Sequence, residues 1–482
     1  MTREPGDVPP ENSVFELCPL EKSTGTYKIL QYSLLYRCML VQESDASLMF
    51  AAIQSAFERL VELYPILRGY QVQLPDRNVI DTRDTTKPGP LFEICDAQQL
   101  TVGGFEQIKY RRSLWPTAVD QILRSRSADT ARLLAGTVIR FTDGYLLACS
   151  VSHIVADGGG VYILMRQWAS LAKQLLAATD GGLQKPMPEL PVDYDHTAFW
   201  AKLESHPRDE HTFVKFVNQQ DFGDTSALQA RVAKFYASGS LVSHEPMNMR
   251  VLRVSAAAIG AISKEYNEPS GDQNTLGVGA SDGSVVAKLH GVQILYALLW
   301  QRYVATVVRM RAESETAYTL PVVLPIMHGL RQITPAPAYI GNAVSSVLVT
   351  CDLQDILSKP VIELTRPIKQ YLRQATPGAA LHYINEAFNG ADNSFFIKNI
   401  YLCTRPESRL VISNASRLAF YDIDFGQGLP VALLCGTLPT EGMAFWLPGA
   451  DGGVDIHLGL KEDIYTELKR DRDLSKFVEF CT

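Results

Sequence analysis

The segment Ser152-His153-Ile154-Val155-Ala156-Asp157-Gly158-Gly159 lies between two different hydrophobic patterns. The preceding residues 145–151 (Tyr-Leu-Leu-Ala-Cys-Ser-Val) are mostly apolar and predict a buried strand. After the segment, apolar side chains recur at the helical spacing 161, 164, 165, 168, 171 and 172. His153 is therefore expected where a core strand ends and a loop begins, a position in which a rigid element holds a titratable side chain.

The chemistry of His153 suits such a position. A histidine whose pKa lies near neutrality accepts a proton from an alcohol or amine as that group attacks a carbonyl carbon. Taken alone, however, a histidine at a strand end is more often a structural side chain that is satisfied by backbone groups. The rest of the sequence has to decide between these two interpretations.

Length and composition predict a globular protein of two domains. The 482 residues exceed the length that one hydrophobic core usually serves. Hydrophobic residues make up 46% of the chain and charged residues 20%, the ordinary balance of a globular protein. The net charge of −7 argues against nonspecific nucleic-acid binding, which depends on many cationic contacts with phosphate. A local basic pocket for one phosphorylated ligand remains compatible with that charge.

Cysteine, histidine and hydropathy patterns argue against several other classes. The eight cysteines contain no C-x-x-C pair, and the nine histidines show no H-E-x-x-H or comparable spacing, so we expect no metal site. No run of 18 apolar residues occurs, and neither end of the sequence carries a recognisable targeting signal. These features predict a cytoplasmic protein with no membrane partner.

Helices and strands are mixed along the whole sequence. Strands are predicted at residues 27–36, 318–326, 344–350 and 431–435, and amphipathic helices at 50–64 and 292–303. The elements lack the regular alternation of a Rossmann fold, and the glycines form neither G-x-G-x-x-G nor a P-loop. Nucleotide binding through those motifs is therefore not supported.

Two irregular stretches divide the chain. Residues 186–224, rich in proline, aspartate and histidine, predict a long crossover, and the polar residues 267–283 predict a surface loop. We therefore expect an N-terminal domain at 1–185 that carries His153 and a C-terminal domain at 225–482. Part of about 430–450 is expected to pack back on the N-terminal domain.

Five ordered motifs carry a resemblance to a known family. Residues 136–173, GTVIRFTDGYLLACSVSHIVADGGGVYILMRQWASLAK, contain the pattern H-x-x-x-D-G, and residues 424–428 read D-F-G-Q-G. Three further pieces occur in the same order: L-Y-P-I-L-R-G at 63–69, L-Y-A-L-L-W at 295–300 and Y-I-G-N-A at 339–343. Together the motifs resemble the BAHD acyl-CoA-dependent acyltransferases over nearly the whole chain. The departures from plant-type motifs and the polar insertion are similar to fungal members such as the trichothecene acetyltransferases.

The resemblance implies a fold and a reaction. The expected fold class is α/β, with two chloramphenicol-acetyltransferase-like domains, mixed sheets with flanking helices, and an active-site tunnel at the domain interface. The expected reaction moves an acyl group from acyl-CoA to a hydroxyl or amine of a small molecule, with no covalent acyl-enzyme and no tightly bound cofactor. The family usually acts as a monomer, which is the expectation for this chain.

The resemblance also assigns roles within the H-x-x-x-D-G segment. His153 is the expected general base. Asp157 could orient the imidazole as in a hydrolase triad, but in the family this aspartate turns away and pairs with an arginine, for which Arg331 is the match. Gly158 either allows a close approach of backbone or acyl chain or is a simple turn glycine.

Further roles are implied on the C-terminal side. Ser413 and Asn414 are expected oxyanion donors, with strand-end polar residues as the alternative interpretation. Asp424 and Gly426 are expected to be structural, and Gln427 replaces the tryptophan that the family usually has there. Lys288 and Arg302 are the weakest assignments, as cations for the 3′-phosphate of CoA.

Two other functions stay open at the sequence level. Nonribosomal peptide condensation domains share the fold and take their acyl groups from a carrier protein, but they usually show a doubled histidine where this chain has Ser152-His153. A binding protein that has kept the fold but lost the reaction is the other alternative. The intact His153, Asp157 and Gly158 argue against it.

Overall fold

The computed structural model describes residues 14–17, 29–37, 43–73, 78–108, 114–129, 131–179, 196–207, 248–267, 289–310, 322–334, 338–381, 410–437 and 441–481. The strands within these residues are β1 Val14–Glu16, β2 Ile29–Arg37, β3 Tyr70–Gln73, β4 Asn78–Asp81, β5 Leu91–Asp96, β6 Leu134–Phe141, β7 Gly144–Ser152, β8 Asn248–Val254, β9 Val322–Gly329, β10 Val344–Cys351, β11 Val411–Asn414, β12 Ala432–Cys435, β13 Met443–Pro448, β14 Val454–Leu460 and β15 Glu479–Cys481. The helices are α1 Glu43–Leu63, α2 Val102–Gln107, α3 Thr117–Ala128, α4 Gly158–Thr179, α5 His196–Glu204, α6 Ala256–Asn267, α7 Gly291–Met310, α8 Leu353–Ser358, α9 Val361–Gln374, α10 Glu462–Lys469 and α11 Arg472–Ser475.

The sheet that leads to His153 has five strands in the order β12-β2-β7-β6-β5. β5 and β6 are parallel, and the other neighbours are antiparallel. β7, the strand that ends just before His153, is buried along all nine residues, as its apolar sequence predicts. A buried strand with hydrogen-bonded strands on both sides holds the following histidine in a fixed position.

Helices α1 and α4 cover one face of this sheet. Their apolar sides form a continuous core with β2, β6 and β7. Trp168 of α4 is fully buried there, and its indole N–H donates to the Ile53 carbonyl of α1 at 2.8 Å. Pro65 follows α1 and begins the short 3₁₀ helix Pro65–Arg68, because proline has no N–H to extend the α-helical ladder. The predicted end of this helix is confirmed.

The second large sheet has seven strands in the order β10-β9-β11-β13-β14-β8-β15. β11 runs parallel to both β9 and β13, and the other pairs are antiparallel, so the sheet is mixed. Helix α7 lies in the core beside this sheet, with Trp300 and Tyr303 almost completely buried. The amphipathic pattern at 292–303 thus belongs to a core helix. β1, β4 and β3 form a separate small antiparallel sheet in that order.

One segment of the C-terminal half joins the first sheet. β11 and β13 belong to the seven-stranded sheet, but β12 between them pairs with β2, Ala432 opposite Leu35 and Cys435 opposite Tyr32. Residues 420–425 also bury aromatic and aliphatic side chains in the core of the first sheet. The chain therefore ties the two large sheets together next to the end of β7.

Several predicted segments fall wholly or partly outside the described residues. Of the crossover 186–224, only 196–207 is described, and it forms α5. The polar loop is described only at Asn267, where α6 ends. Boundaries near 185 and 225 remain predictions. Among the described residues, no helix combines the length and hydropathy that crossing a lipid bilayer requires.

Candidate active site

His153 lies directly after β7 and is half-buried. It is hydrogen-bonded to Asn342, which is 1% exposed and precedes β10 by two residues. His153 Nδ1 and Asn342 Oδ1 are 3.0 Å apart, and Asn342 Nδ2 donates to the His153 carbonyl at 2.8 Å. One amide thus holds both the ring and the backbone of the histidine.

This double contact decides the tautomer of the imidazole. Asn342 Nδ2 must face the His153 carbonyl, because only the NH₂ group can donate to it. The amide oxygen then faces Nδ1 and can only accept, so Nδ1 carries the proton. The lone pair of the neutral ring is consequently on Nε2, the nitrogen on the opposite side. That is the arrangement a general base requires.

Asp157 is 1% exposed and caps helix α4. Its backbone carbonyl accepts from Val161 N at 2.9 Å, and its carboxylate accepts from Gly160 N at 2.8 Å. The other carboxylate oxygen accepts from Ala343 N at 2.9 Å. The carboxylate therefore bonds to the helix start and to the segment before β10. None of the hydrogen bonds described for this carboxylate involves the His153 ring, unlike those of the aspartate in a hydrolase triad.

Arg331 completes the contacts of this carboxylate. Its Nη2 donates to Asp157 Oδ1 and, at 3.2 Å, to the Gly341 carbonyl, while Nη1 donates to the Tyr339 carbonyl. The guanidinium also lies 5.9 Å from the centre of the Tyr339 ring. The structure thus brings together the aspartate and arginine that the sequence paired. Their ion pair joins the loop after β7 to the segment that carries Asn342.

The three glycines at the start of α4 lie against other groups. A Cβ atom on Gly160 would be 1.9 Å from the Ile340 carbonyl oxygen, which real structures do not allow. A Cβ on Gly159 would be 2.8 Å from Arg331 Nε, and one on Gly158 would be 2.9 Å from Tyr32 Oη. All three glycines therefore allow a neighbouring group to approach the backbone more closely than a Cβ atom would permit. It is strictest at Gly160, which the sequence analysis did not single out.

The two expected oxyanion donors differ in what they already bind. Asn414 Nδ2 donates to the Tyr296 hydroxyl, and Asn414 Oδ1 accepts from Ser416 N at 2.8 Å. Burial raises the pKa of Tyr296 to about 12, although the Asn414 hydrogen bond and Arg417 act to lower it. Ser413 is half-buried on β11, and its hydroxyl makes no hydrogen bond to another described residue. Ser413 thus has an uncommitted hydroxyl, whereas Asn414 has committed its oxygen and one of its two amide hydrogens.

The D-F-G-Q-G loop folds around Asp424. Its carboxylate accepts from Lys173 Nζ at 2.8 Å, from Gly426 N at 2.7 Å and from Gly428 N at 2.9 Å. Burial by itself raises the pKa of Asp424, but these three donors outweigh it and the pKa is lowered. Gly426 has φ of 104°, a backbone conformation that favours glycine. Gln427 is exposed in this loop.

Of the two weakest site assignments, only Arg302 lies within the described residues. Arg302 forms ion pairs with Asp473 at 2.5 Å and with Asp471 at 4.0 Å, at the C-terminal helix α11 and its cap. Lys288 lies outside the described residues. The described residues also contain no group of three or more histidine, cysteine, aspartate or glutamate side chains that could hold a metal ion.

Asn342 is a site residue for which the sequence alone predicted no role. It is 189 positions away from His153 in the chain, so no local pattern connects them. The available signal was its place in the Y-I-G-N-A motif, which lies where the second sheet approaches the end of β7. Asn342 is the one amide side chain in this otherwise apolar and glycine-containing motif, which is consistent with a specific hydrogen-bonding role.

Comparison with known proteins agrees with this architecture. Residues 116–474 match the model of a family described as Transferase family. Agmatine coumaroyltransferase-1 of Hordeum vulgare is 26% identical over 151 residues, 30% of this chain and 31% of that enzyme. Putrescine hydroxycinnamoyltransferase 3 of Oryza sativa subsp. japonica is 26% identical over 223 residues, 40% of this chain and 49% of that enzyme. The aligned part spans less than half the length of either curated relative.

A solved structure matches over a longer range. F. graminearum TRI101, complexed with coenzyme A and deoxynivalenol, has a TM-score of 0.73 and 15% sequence identity over 98% of this chain and 100% of that chain. This likeness confirms the expected two-domain, chloramphenicol-acetyltransferase-like fold. The family model covers most of the chain, and its described residues have the fold of that family. The chain therefore belongs to the Transferase family, that of the BAHD acyltransferases.

Proposed function

We propose that this protein transfers an acyl group from acyl-CoA to a hydroxyl or amine of a small-molecule acceptor, with His153 as the general base. The observation that carries the proposal is the two-way contact between His153 and Asn342, which leaves the lone pair of the neutral ring on Nε2. A neutral imidazole with its lone pair on Nε2 is ready to accept a proton at that atom. Family membership supplies the reaction class in which this base acts.

The reaction proceeds by direct transfer. His153 Nε2 takes the proton of the acceptor hydroxyl or amine as the acceptor oxygen or nitrogen forms a bond with the thioester carbonyl carbon. The carbonyl π electrons move to its oxygen, giving a tetrahedral intermediate. When the carbonyl re-forms, the carbon–sulfur bond breaks and the CoA thiolate leaves, taking the proton back from the imidazolium. No side chain of the protein is acylated, and His153 returns to its starting state.

The surrounding residues support this step in different ways. We favour Ser413 as the oxyanion donor, since its hydroxyl makes no hydrogen bond to another described residue and Asn414 is already held by Tyr296. Asp157 and Arg331 hold the loop and the Asn342 segment in place. A base in such a position accelerates the reaction about 10²–10⁴-fold. The rest of the rate enhancement over the uncatalysed reaction is supplied by orientation of the two substrates and by oxyanion stabilisation.

The acceptor is proposed only as a chemical class. The two curated relatives described above are named for the amines agmatine and putrescine, whereas the TRI101 structure contains deoxynivalenol. Both groups of names indicate small-molecule acceptors, and hydroxyl and amine acceptors undergo the same base-assisted attack. A secondary-metabolite acceptor, a monomeric protein and a cytoplasmic location are parts of this proposal, drawn from the family.

The test measures release of CoA thiol from acetyl-CoA with a panel of amine and hydroxyl acceptors. His153→Ala should lower kcat about 10²–10⁴-fold. His206→Ala is the matched control, because His206 lies on the surface and its Nδ1 contacts only the Lys202 carbonyl among the hydrogen bonds described for it, at 2.9 Å. Full turnover in the His153 variant would exclude the base. If the unmodified protein released thiol from none of the acyl-CoA compounds tested, a carrier-protein donor would be favoured.

A further inference from the structure

Tyr32 is a buried polar side chain that the mechanism above leaves unused. It lies on β2 with 2% of its surface exposed, within the core between the first sheet and α4. Its ring contacts Phe420, with centroids 5.1 Å apart, and Phe420 contacts Tyr162 of α4 at 5.2 Å. These aromatic neighbours fix the direction of the ring. No hydrogen bond joins the Tyr32 hydroxyl to any described residue.

The hydroxyl points at the start of helix α4. A Cβ on Gly158 would be 2.9 Å from Tyr32 Oη, so the oxygen lies directly over the first residue of this 22-residue helix. The amides of Gly158 and Gly159 also make no hydrogen bond to described residues, since the Asp157 carboxylate caps Gly160 instead. The helix start carries a partial positive charge. Two kinds of donor thus meet close to the loop of His153.

The chemistry of this place favours a ligand oxygen that carries negative charge. Burial, together with the nearby Cys435 and Asp157, raises the pKa of Tyr32 well above its ordinary value, so the phenol keeps its proton and acts as a donor. The hydrogen bonds of the described residues leave this phenol without an acceptor, so it is available to donate to an oxygen that arrives with the substrate.

We propose that the Tyr32 hydroxyl contacts the substrate and donates a hydrogen bond to the thioester carbonyl oxygen as it becomes an oxyanion. This inference rests on the proposed function, because it needs an acyl-CoA beside His153. The backbone amides at the start of α4 contribute to the same site. Tyr32 and Ser413 then bind the oxyanion as two separate hydroxyl donors, one from each large sheet.

The test compares two CoA compounds that differ at the carbonyl. S-ethyl-CoA has no carbonyl group, whereas the hydrated trifluoromethyl ketone thioether of CoA has a tetrahedral carbon that bears oxygens. Tyr32→Phe should weaken binding of the trifluoromethyl ketone by about 10-fold or more, in keeping with the loss of one oxyanion donor. Its affinity for S-ethyl-CoA should not change, and its melting temperature should not fall.

Tyr36→Phe is the matched control. Tyr36 lies on the same strand and the same face, but its hydroxyl donates to the Ile423 carbonyl at 2.8 Å. This variant should lose stability and keep both affinities. Gly158→Ala is a second route to the result, because its methyl group would displace the Tyr32 hydroxyl.

The outcomes separate this inference from the proposed function. Unchanged affinity of Tyr32→Phe for the trifluoromethyl ketone, or an equal loss for both compounds, would overturn the role of the hydroxyl while leaving acyl-CoA as the donor. If the unmodified protein bound neither CoA compound, the proposed function would fail and the inference with it.

Discussion

Asn342 offers the sharpest test of how the site works. Asn342→Leu keeps the size of the side chain but removes the bond to His153 Nδ1 and the bond to the His153 carbonyl. Each hydrogen bond is worth about 0.5–1.5 kcal/mol, so the free energy of unfolding should fall by about 1–3 kcal/mol. The ring also loses the contact that keeps its lone pair on Nε2. We therefore expect kcat to fall about 10-fold to 100-fold, which corresponds to about 1.4–2.7 kcal/mol.

Asn342→Asp separates positioning from charge. A carboxylate still accepts from Nδ1–H, but it cannot donate to the His153 carbonyl, and it adds a negative charge next to the imidazole. That charge should favour the protonated imidazole and so raise the pKa of His153 relative to the unmodified protein. Because the base acts in its neutral form, activity should be lost at a higher pH as the solution is acidified. In Asn342→Leu the acid limb should not move upward, and kcat should be low at every pH.

The assay is thiol release from acetyl-CoA as a function of pH, with unfolding measured in parallel. Asn267→Leu is the control: Asn267 also bonds through both amide atoms, to Leu289 N at 2.9 Å and Leu289 O at 3.0 Å, but it lies at the end of α6. It should lose stability and keep its pH profile. Full kcat in Asn342→Leu, with only its stability lowered, would refute the tautomer argument.

Other contacts predict effects on stability. Arg331→Met should lower the free energy of unfolding by about 3 kcal/mol, because the buried Asp157 carboxylate loses its cation; an unchanged denaturation midpoint would contradict this. Gly160→Ala should unfold at a much lower temperature than the unmodified protein. Gly260→Ala has open space around its Cβ, so its free energy of unfolding should rise by about 0.5–1 kcal/mol. Equal losses of stability in the two variants would refute the steric argument. The lowered pKa of Asp424 implies stability that is present above the unfolded-state pKa and lost as the pH falls through the folded-state pKa. The difference in free energy of unfolding between the unmodified protein and Asp424→Asn should therefore shrink as the pH falls. A difference that stayed constant with pH would argue against a stabilising role of the ionised Asp424 carboxylate.

The contacts of the site couple the proposed catalytic histidine to the stability of the surrounding fold. Asn342 and Ala343 follow each other in the chain, and the first bonds to His153 while the second bonds to Asp157. A variant that loosens Arg331 therefore also loosens the segment that bonds to His153. Loss of activity in an Asp157 variant alone does not establish a chemical role for the carboxylate, and unfolding has to be measured beside kcat.

Local sequence patterns were sufficient for much of the fold. The apolar run before His153 forms a buried strand, and the residues after Asp157 form the helix α4, because hydrophobic periodicity reflects which face of an element is buried. The five ordered motifs led to the family and thereby to the two-domain fold. These signals lie within short, contiguous segments, so they are legible in a single sequence.

Only the tertiary structure decided how the polar groups pair. His153 meets Asn342 across 189 positions, and Asp157 meets Arg331 across 174. Asn414, an equal candidate with Ser413 by position, is already engaged by Tyr296, while the Tyr32 hydroxyl is left without a described partner. Hydrogen bonds depend on distances of about 3 Å and on direction, and no pattern along one chain encodes them when the partners come from different sheets. The sequence by itself determined that a histidine stands at the end of a core strand in an acyltransferase fold. The packing of the two sheets determined which nitrogen of that histidine carries the lone pair.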